Sequence, residues 1–380
     1  MRNKESAGSL KKALLATAIA VVVVAAVGCS AATHGGNNAG PRRVTVPDGG
    51  IVPDVAKAGE ALHLVFGGDG HAYYARSTND GRTFSPAVRL SNDSSKASLG
   101  HERGPKLAIG RDGSIHAAWA NDAHNKVFYS RSTDGGRSFS APRNVAPEKG
   151  LDGPSIAADA NGNVYVVWMA GEARGGAAAS LIHLTKSADN GATFSAAEPI
   201  ATNYPNNAAC ACCNLKAFIG PGGRFFIGLR GANNNIRDVH LLRATPDGSR
   251  FEAFRVSEDN WRLEGCPMQG PWVETAPDGR VLTVAWSSQG QVYYAISADG
   301  GMIFSPRSMP LTRPGSPRRD PLALRNARGE ILFAWVEQSA LRWEHQRPPA
   351  NVESGTRRDV PRNSRPVAFV DSAGEVALVY

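Results

Sequence analysis

The sequence predicts an all-β chain folded as a β-propeller, with seven blades favoured and six as the alternative. Three observations predict it. A turn motif, Ser-x-Asp-x-Gly-x-x-Phe, returns at nearly constant spacing. A unit of two short apolar strands recurs upstream of its copies, and no stretch beyond the N-terminal segment carries a convincing helical period.

The motif is complete from Ser132 to Phe139, from Ser187 to Phe194 and from Ser297 to Phe304. The copy from Ser77 to Phe84 has Asn79 in the Asp place, and a degenerate copy from Ala244 to Phe251 keeps Asp247-Gly248 one place late. Successive copies start 55, 55, 57 and 53 residues apart, which is a structural period. Each part has a mechanical role in a tight turn: Ser and Asp side chains bond nearby backbone groups, Gly supplies a positive φ, and Phe enters the apolar layer. The motif aspartates are therefore scaffold, not catalytic carboxylates.

In each strand unit a Pro or Gly opens an apolar strand, a Gly-containing turn follows, and an alternating strand ends near a large residue. Pro105 to Trp119, Pro154 to Trp168 and Pro271 to Trp286 are clear examples, and Val164, Val166 and Trp168 show the period of two that marks one buried face. Seven units are found, at 53–66, 105–119, 154–168, 215–229, 271–286, 321–335 and 366–380. Where the turn motif is present, a third and fourth strand are expected to complete a blade. The last unit ends at Tyr380 with two strands, while Pro41 to Val46 resembles the outer strand Pro142-Arg143-Asn144-Val145. That N-terminal strand is expected to complete the last blade, closing a ring that protects its sheet edges. The six-blade alternative applies if the poorly repeated stretch from Glu337 to Arg362 forms no blade.

Arg2, Lys4, Lys11 and Lys12 precede an apolar run from Ala13 to Val27 that leads to Gly28-Cys29. The run is shorter than the roughly 20 residues of a spanning helix. It resembles the leader of a bacterial lipoprotein, which implies removal of residues 1–28, lipidation of Cys29 and anchoring to the cell envelope. Ser30 after the cysteine, in place of Asp, favours the outer membrane. An ordinary signal peptide is the alternative. Residues 29–40 are small and polar, a short tether, and 41–380 form one propeller domain. Loss of the leader lowers the formal charge of +8 to +5. This mild excess is spread over loops, with no nucleic-acid motif, so no nucleic-acid partner is expected and the membrane is met only through the lipid.

The turn motifs are Asp boxes. With their blade-length spacing and paired strand units, they make nearly the whole mature chain resemble the sialidase (neuraminidase) and BNR-repeat superfamily. The resemblance implies the propeller, a carbohydrate or acidic-glycan partner and, if the protein is an enzyme, exo-α-sialidase-like glycoside hydrolysis. Such enzymes hold the substrate carboxylate with three arginines, whose donor forks match it. They use a tyrosine activated by a glutamate as nucleophile and an aspartate as acid/base. Arg230, with Arg237 nearby, resembles the family's mid-chain arginine. Elsewhere the pattern departs: Ile51-Val52-Pro53 replaces Arg-Ile-Pro, Cys212-Cys213 replaces the glutamate, and Ser364-Arg365 stands where the tyrosine belongs. Arg103, Arg319 and Arg365 begin inner strands, so with Arg230 they are candidates for an anion-binding ring, the alternative being solvated loop arginines. Trp261 and Trp272 are candidates to stack on a sugar, although packing is the commoner role of such residues. Glu102, Asp152, Glu264 and Asp320 also lie near strand starts, and no pair is assigned as catalytic.

Cys210, Cys212 and Cys213 precede the fourth unit, and Cys266, followed by Met268, precedes the fifth. Consecutive units are neighbouring blades, so the two segments should meet at the rim of the channel. With Asp259-Asn260-Trp261 ahead of Cys266, the spacing resembles a subgroup of secreted BNR propellers. In an oxidising compartment disulfides are the default, for example Cys210 or Cys213 to Cys266. The alternatives are a soft-metal site for copper, with Met268 as a further ligand, and a reactive thiol. Zinc is less attractive because no histidine lies close in sequence. No other cofactor is expected. Two functions follow: an envelope-anchored propeller that binds or hydrolyses a glycan at its channel, or a non-catalytic binding module built around the cysteines.

Overall fold

A computed structural model describes residues 40–100, 102–146, 152–174, 176–311, 316–358, 360 and 365–380. The leader, Cys29 and Ser364 lie outside the described residues.

Alternating apolar residues let consecutive strands pair in chain order, so each repeat becomes a sheet running outward from a central axis. Blade 1 is Ile51–Ala58, Ala61–Gly68, His71–Ser77 and Val88–Arg89, and blade 2 is Lys106–Ile109, Ile115–Ala120, Val127–Ser132 and Arg143–Asn144. Blade 3 is Asp152–Ala158, Val164–Ala170, Ala179–Ser187 and Glu198–Pro199, with Ala209–Cys210 added against the start of its third strand. Blade 4 is Lys216–Ile219, Phe225–Arg230, Val239–Ala244 and Phe251–Arg255. Blade 5 has three strands, Trp272–Thr275, Leu282–Ser288 and Gln291–Ser297. The expected fourth is reduced to a bridge between Tyr294 and Ser308, because Pro306 and Pro310 flank it and offer no N–H to a ladder.

Blade 6 comprises Arg318–Arg325, Ile331–Glu337, Ala340–Arg347 and Asn351–Arg357. The poorly repeated stretch after Glu337 thus supplies two strands without any turn motif, and the six-blade alternative falls. Blade 7 pairs Val367–Val370 with Val376–Val379, and Arg42–Val44 then pairs with the latter in parallel. In a complete blade the fourth strand runs parallel to the second with the third between them. Arg42–Val44 keeps that direction and, with no third strand intervening, pairs with the second directly. The protein is a seven-bladed β-propeller.

The turns behave as their chemistry requires. The Ser132 hydroxyl accepts from the Gly136 N–H at 2.9 Å and donates to Asp134 at 2.7 Å, while Asp134 accepts from the Arg137 and Ser138 N–H groups at 3.0 Å each. The Ser138 bonds, its hydroxyl's first, hold the Asp134 carboxyl well below the usual carboxylate range. Phe139 packs on Tyr74 of blade 1 with ring centroids 5.0 Å apart, and Phe194 on Tyr129 of blade 2 at 4.8 Å, so these two motifs lock their blades to the one before. Gly136 has a φ of 87° and lies against the Tyr74 ring where a Cβ would sit. Trp119, Trp168, Trp286 and Trp335, near the ends of second strands, are buried. Among the described residues no helix is long and apolar enough to cross a membrane.

Candidate functional site: the two ends of the channel

The first strand of every blade faces the axis, and together the seven enclose a channel. All seven contribute to a cavity of about 510 Å³ at the end where these strands finish. Its lining includes Phe218 and Phe369 among apolar residues, with Lys57, Lys216, Glu274 and Arg325 as charged groups. Lys57 is paired with Asp80 at 2.7 Å. Burial raises the Glu274 carboxyl to about 7, with Lys216 opposing the shift and Asp54 adding to it. Lys216 lies with its Nζ 5.9 Å from the Trp272 ring centroid.

Toward the other end the channel narrows to a cavity of about 40 Å³, bordered by Asp54, Glu102, Lys106, Asn214, Lys216, Trp272 and Arg365 among others. Glu102 organises this end. Its Oε2 accepts from the Gly270 N–H at 2.6 Å and the Asn214 N–H at 3.3 Å, and Oε1 pairs with Arg365 at 2.7 Å. One carboxylate therefore ties the segment after Cys213 to the segment after Cys266. A Cβ on Gly270 would collide with the Asn214 backbone, so the close approach requires glycine. Burial pushes the Glu102 carboxyl up, opposed by Arg365, and burial pulls the Lys106 ammonium down. The inner strands of blades 1, 3 and 6 open with bulges, where Val52, Gly153 and Asp320 take positive φ. Such bulges re-aim the residues around this mouth.

The two cysteine segments meet here, as their places in neighbouring blades predict. Cys210 and Cys213 are buried and Cys212 and Cys266 partly so. Their sulfurs converge: Cys210 to Cys266 is 3.3 Å, Cys210 to Cys213 is 3.3 Å and Cys213 to Cys266 is 3.5 Å. All four are free thiols. The bridge expected from the sequence is not formed, since a disulfide needs about 2.05 Å. Hydrogen bonds from Cys210, Cys212 and Cys213 hold the Cys266 thiol far below the ordinary range. Cys210 is pulled down by the Cys213 bond, but its bond to Cys266 and burial push it up to about 12. The bond to Cys266 and burial raise Cys212, and burial above all raises Cys213. Met268 meets the group through its backbone N–H, 3.2 Å from the Cys266 sulfur.

The sequence-predicted arginines are not gathered into one ring of donors facing the lumen. Arg230 is buried, with Nε on the Gln269 carbonyl at 2.7 Å, Nη1 on the Arg237 carbonyl at 2.7 Å and Nη2 on the Ser287 carbonyl at 2.9 Å. Its guanidinium lies 5.5 Å from the Trp261 ring centroid, so that ring is turned to Arg230. Arg103 pairs with Asp152 at 2.5 Å, Arg319 with its neighbour Asp320, and Arg365 with Glu102. Trp272 is buried and Glu264 is exposed. The sequence reading did not single out Asp54, Lys106, Lys216, Asn214 or Glu274. A charged residue at an axis-facing position of an otherwise apolar inner strand, as in Lys216-Ala217-Phe218, is the signal that finds them.

No family model matches the chain, and no curated protein matches it. Among solved structures, a protein of unknown function from Dyadobacter fermentans aligns with 16% identity and a TM-score of 0.50, covering 81% of this chain and 93% of its own. An α-L-arabinanase from Penicillium chrysogenum, complexed with arabinobiose, aligns with 12% identity and a TM-score of 0.51 over 81% and 92%. A Hadza microbial sialidase aligns with 12% identity and a TM-score of 0.46 over 81% of this chain and 65% of its own. At these identities the likeness is one of fold.

Proposed function

We propose that this protein is a carbohydrate-binding propeller that takes a glycan into the wide end of its channel. The observation that carries the reading is the cavity of about 510 Å³ to which all seven inner strands contribute. It combines apolar walls with a few convergent polar groups, the usual make-up of a small-molecule site. Phe218, stacked on Phe226 and partly exposed, and the buried Phe369 supply apolar wall against which a sugar can lie. Lys216 and Glu274 offer a donor and a carboxyl whose raised pKa lets it donate or accept near neutrality. Lys216 and Arg325 suit a sugar that carries an acidic group. The Asp-box turns support kinship with sialidase-type propellers, and the arabinanase shows that this fold accommodates a sugar.

Binding, not sialoside cleavage, is the reading, because the four arginines marked for a substrate carboxylate already have protein partners. Calorimetry with a panel of acidic oligosaccharides and neutral arabinobiose tests it. An acidic ligand should bind, and Lys216→Ala and Glu274→Gln should each weaken it about tenfold or more. Absence of binding across the panel, or affinity unchanged in both variants, overturns the reading. The leader supports a companion proposal, that Cys29 carries a lipid that holds the propeller at the cell envelope. Labelled palmitate should enter the wild-type protein and be lost with Cys29→Ala.

A further inference from the structure

The cysteine group at the narrow mouth lies apart from the proposed glycan cavity and has chemistry of its own. Among the described residues its donors are all sulfur. Cys210, Cys213 and Cys266 present three Sγ atoms in mutual contact, and Cys212, which acts on Cys266, stands beside that trio. Cys266 touches both Cys210 and Cys213, which also touch each other, an arrangement that a two-sulfur bridge does not produce. A tetrahedral ion with metal–sulfur bonds of about 2.3 Å needs sulfurs about 3.8 Å apart. The observed 3.3, 3.3 and 3.5 Å reach that spacing by outward shifts of a few tenths of an ångström.

The surroundings fit a group of thiolates. The positive charge of Arg103 acts on Cys212 and Cys266, that of Arg230 on Cys213 and that of Arg237 on Cys210. Arg237 is 1% exposed, and its Nε and Nη1 have no hydrogen-bond partner. A buried guanidinium with unmet donors is costly unless negative charge lies near. Asp152, which also acts on Cys212, is held by Arg103, and no carboxylate among the described residues joins the sulfur group. The two cysteine segments are fixed from outside the group, by Glu102 on Gly270 and Asn214 and by Arg230 on Gln269.

The structure assigns to Cys210, Cys213 and Cys266, with Cys212 beside them, a site for one thiophilic closed-shell metal ion, Cu⁺ or Zn²⁺. Soft thiolate sets select these ions, and among the described residues no histidine or carboxylate joins the sulfur group, which disfavours harder ones. Each thiol that ligates releases one proton to solvent, and Arg103, Arg230 and Arg237 balance the charge that builds up.

The test uses exported protein purified under nitrogen without reductant, given Zn²⁺ or Cu⁺ and then challenged with a competing chelator. The expected result is one ion retained per chain, protons released on binding, and an X-ray absorption first shell of sulfur alone. The edge that carries the signal tells copper from zinc. Cys212→Ser, partly exposed and so tolerated by the fold, should lower affinity about tenfold, and Cys266→Ser about a hundredfold, with circular dichroism unchanged in Cys212→Ser. Retention of neither ion, thiol reactivity unaffected by metal, or an isolated mass lacking the hydrogens of two disulfides overturns the assignment.

Discussion

At one end of the channel, Glu102, Asn214 and Arg365 fill the axis with groups that satisfy one another across blades 2, 4, 5 and 7, leaving a cavity of about 40 Å³. At the other end the same inner strands spread around about 510 Å³, and Lys216 and Glu274 lie along the wall. The narrow end spends its charges on holding loops together, and the wide end keeps charges where a ligand can meet them. Polar residues around a propeller axis are therefore not of one kind. Which of them are available is decided by how closely the loops above each strand approach.

The strongest way to break this contrast is Glu102→Ala. The change strips the Gly270 and Asn214 N–H groups of their acceptor and leaves Arg365 without its carboxylate, so a loss of about 3–5 kcal/mol is expected in urea unfolding. A loss of under about 1 kcal/mol would mean that the narrow end is not a fixed plug.

Glu274 sharpens the contrast through pH. Its carboxyl is raised from 4.5 to about 7 in the folded chain, so the stability it contributes is present below pH 4.5 and is lost as pH rises through 7. His63, His116 and His240, lowered by burial from 6.5 to about 4, act oppositely, with stability present above 6.5 and lost as pH falls through 4. The informative quantity is thus the difference between wild type and Glu274→Gln, which should gain up to about 3 kcal/mol relative to wild type between pH 4.5 and pH 8. A flat difference would place Glu274 in bulk-like water.

Gly136→Ala lies at neither end and serves as the scaffold reference. The new methyl group would meet the Tyr74 ring at a φ of 87°, so a loss of about 1–3 kcal/mol is expected, with glycan and metal binding unchanged. Altered binding at either end would mean that blade packing and channel geometry are coupled.

The fold was legible because its signals are local. Ser132, Asp134 and Gly136 complete their hydrogen bonds within one turn, so the motif carries its own structure wherever it stands. The meeting of the cysteine segments followed from blade order alone. The plug did not, since Glu102 finds Asn214 112 residues away and Gly270 168 residues away. Nor did the fate of the arginines: their place at strand starts was visible, but the carboxylates and carbonyls that take up their donors come from chain folding. The disulfide expectation rested on compartment and on an even number of thiols, and neither fixes the distance between two sulfurs.

The parallel seam of blade 7 bears on how the ring comes to exist. Arg42 aligns with Ala377, so the pairing joins opposite ends of the described chain. Contacts so distant in sequence carry the largest loop-closure entropy and form late unless other structure first draws the ends together. Six blades can each form from contiguous chain, and stacking them in a circle brings Val376–Val379 to the place where Arg42–Val44 must dock. Until that docking, the second strand of blade 7 keeps an open edge, the kind of surface that recruits strands from other molecules. The seam is thus the step at which an assembling chain is most exposed to misassembly, and the one whose completion turns seven sheets into a single cooperative body.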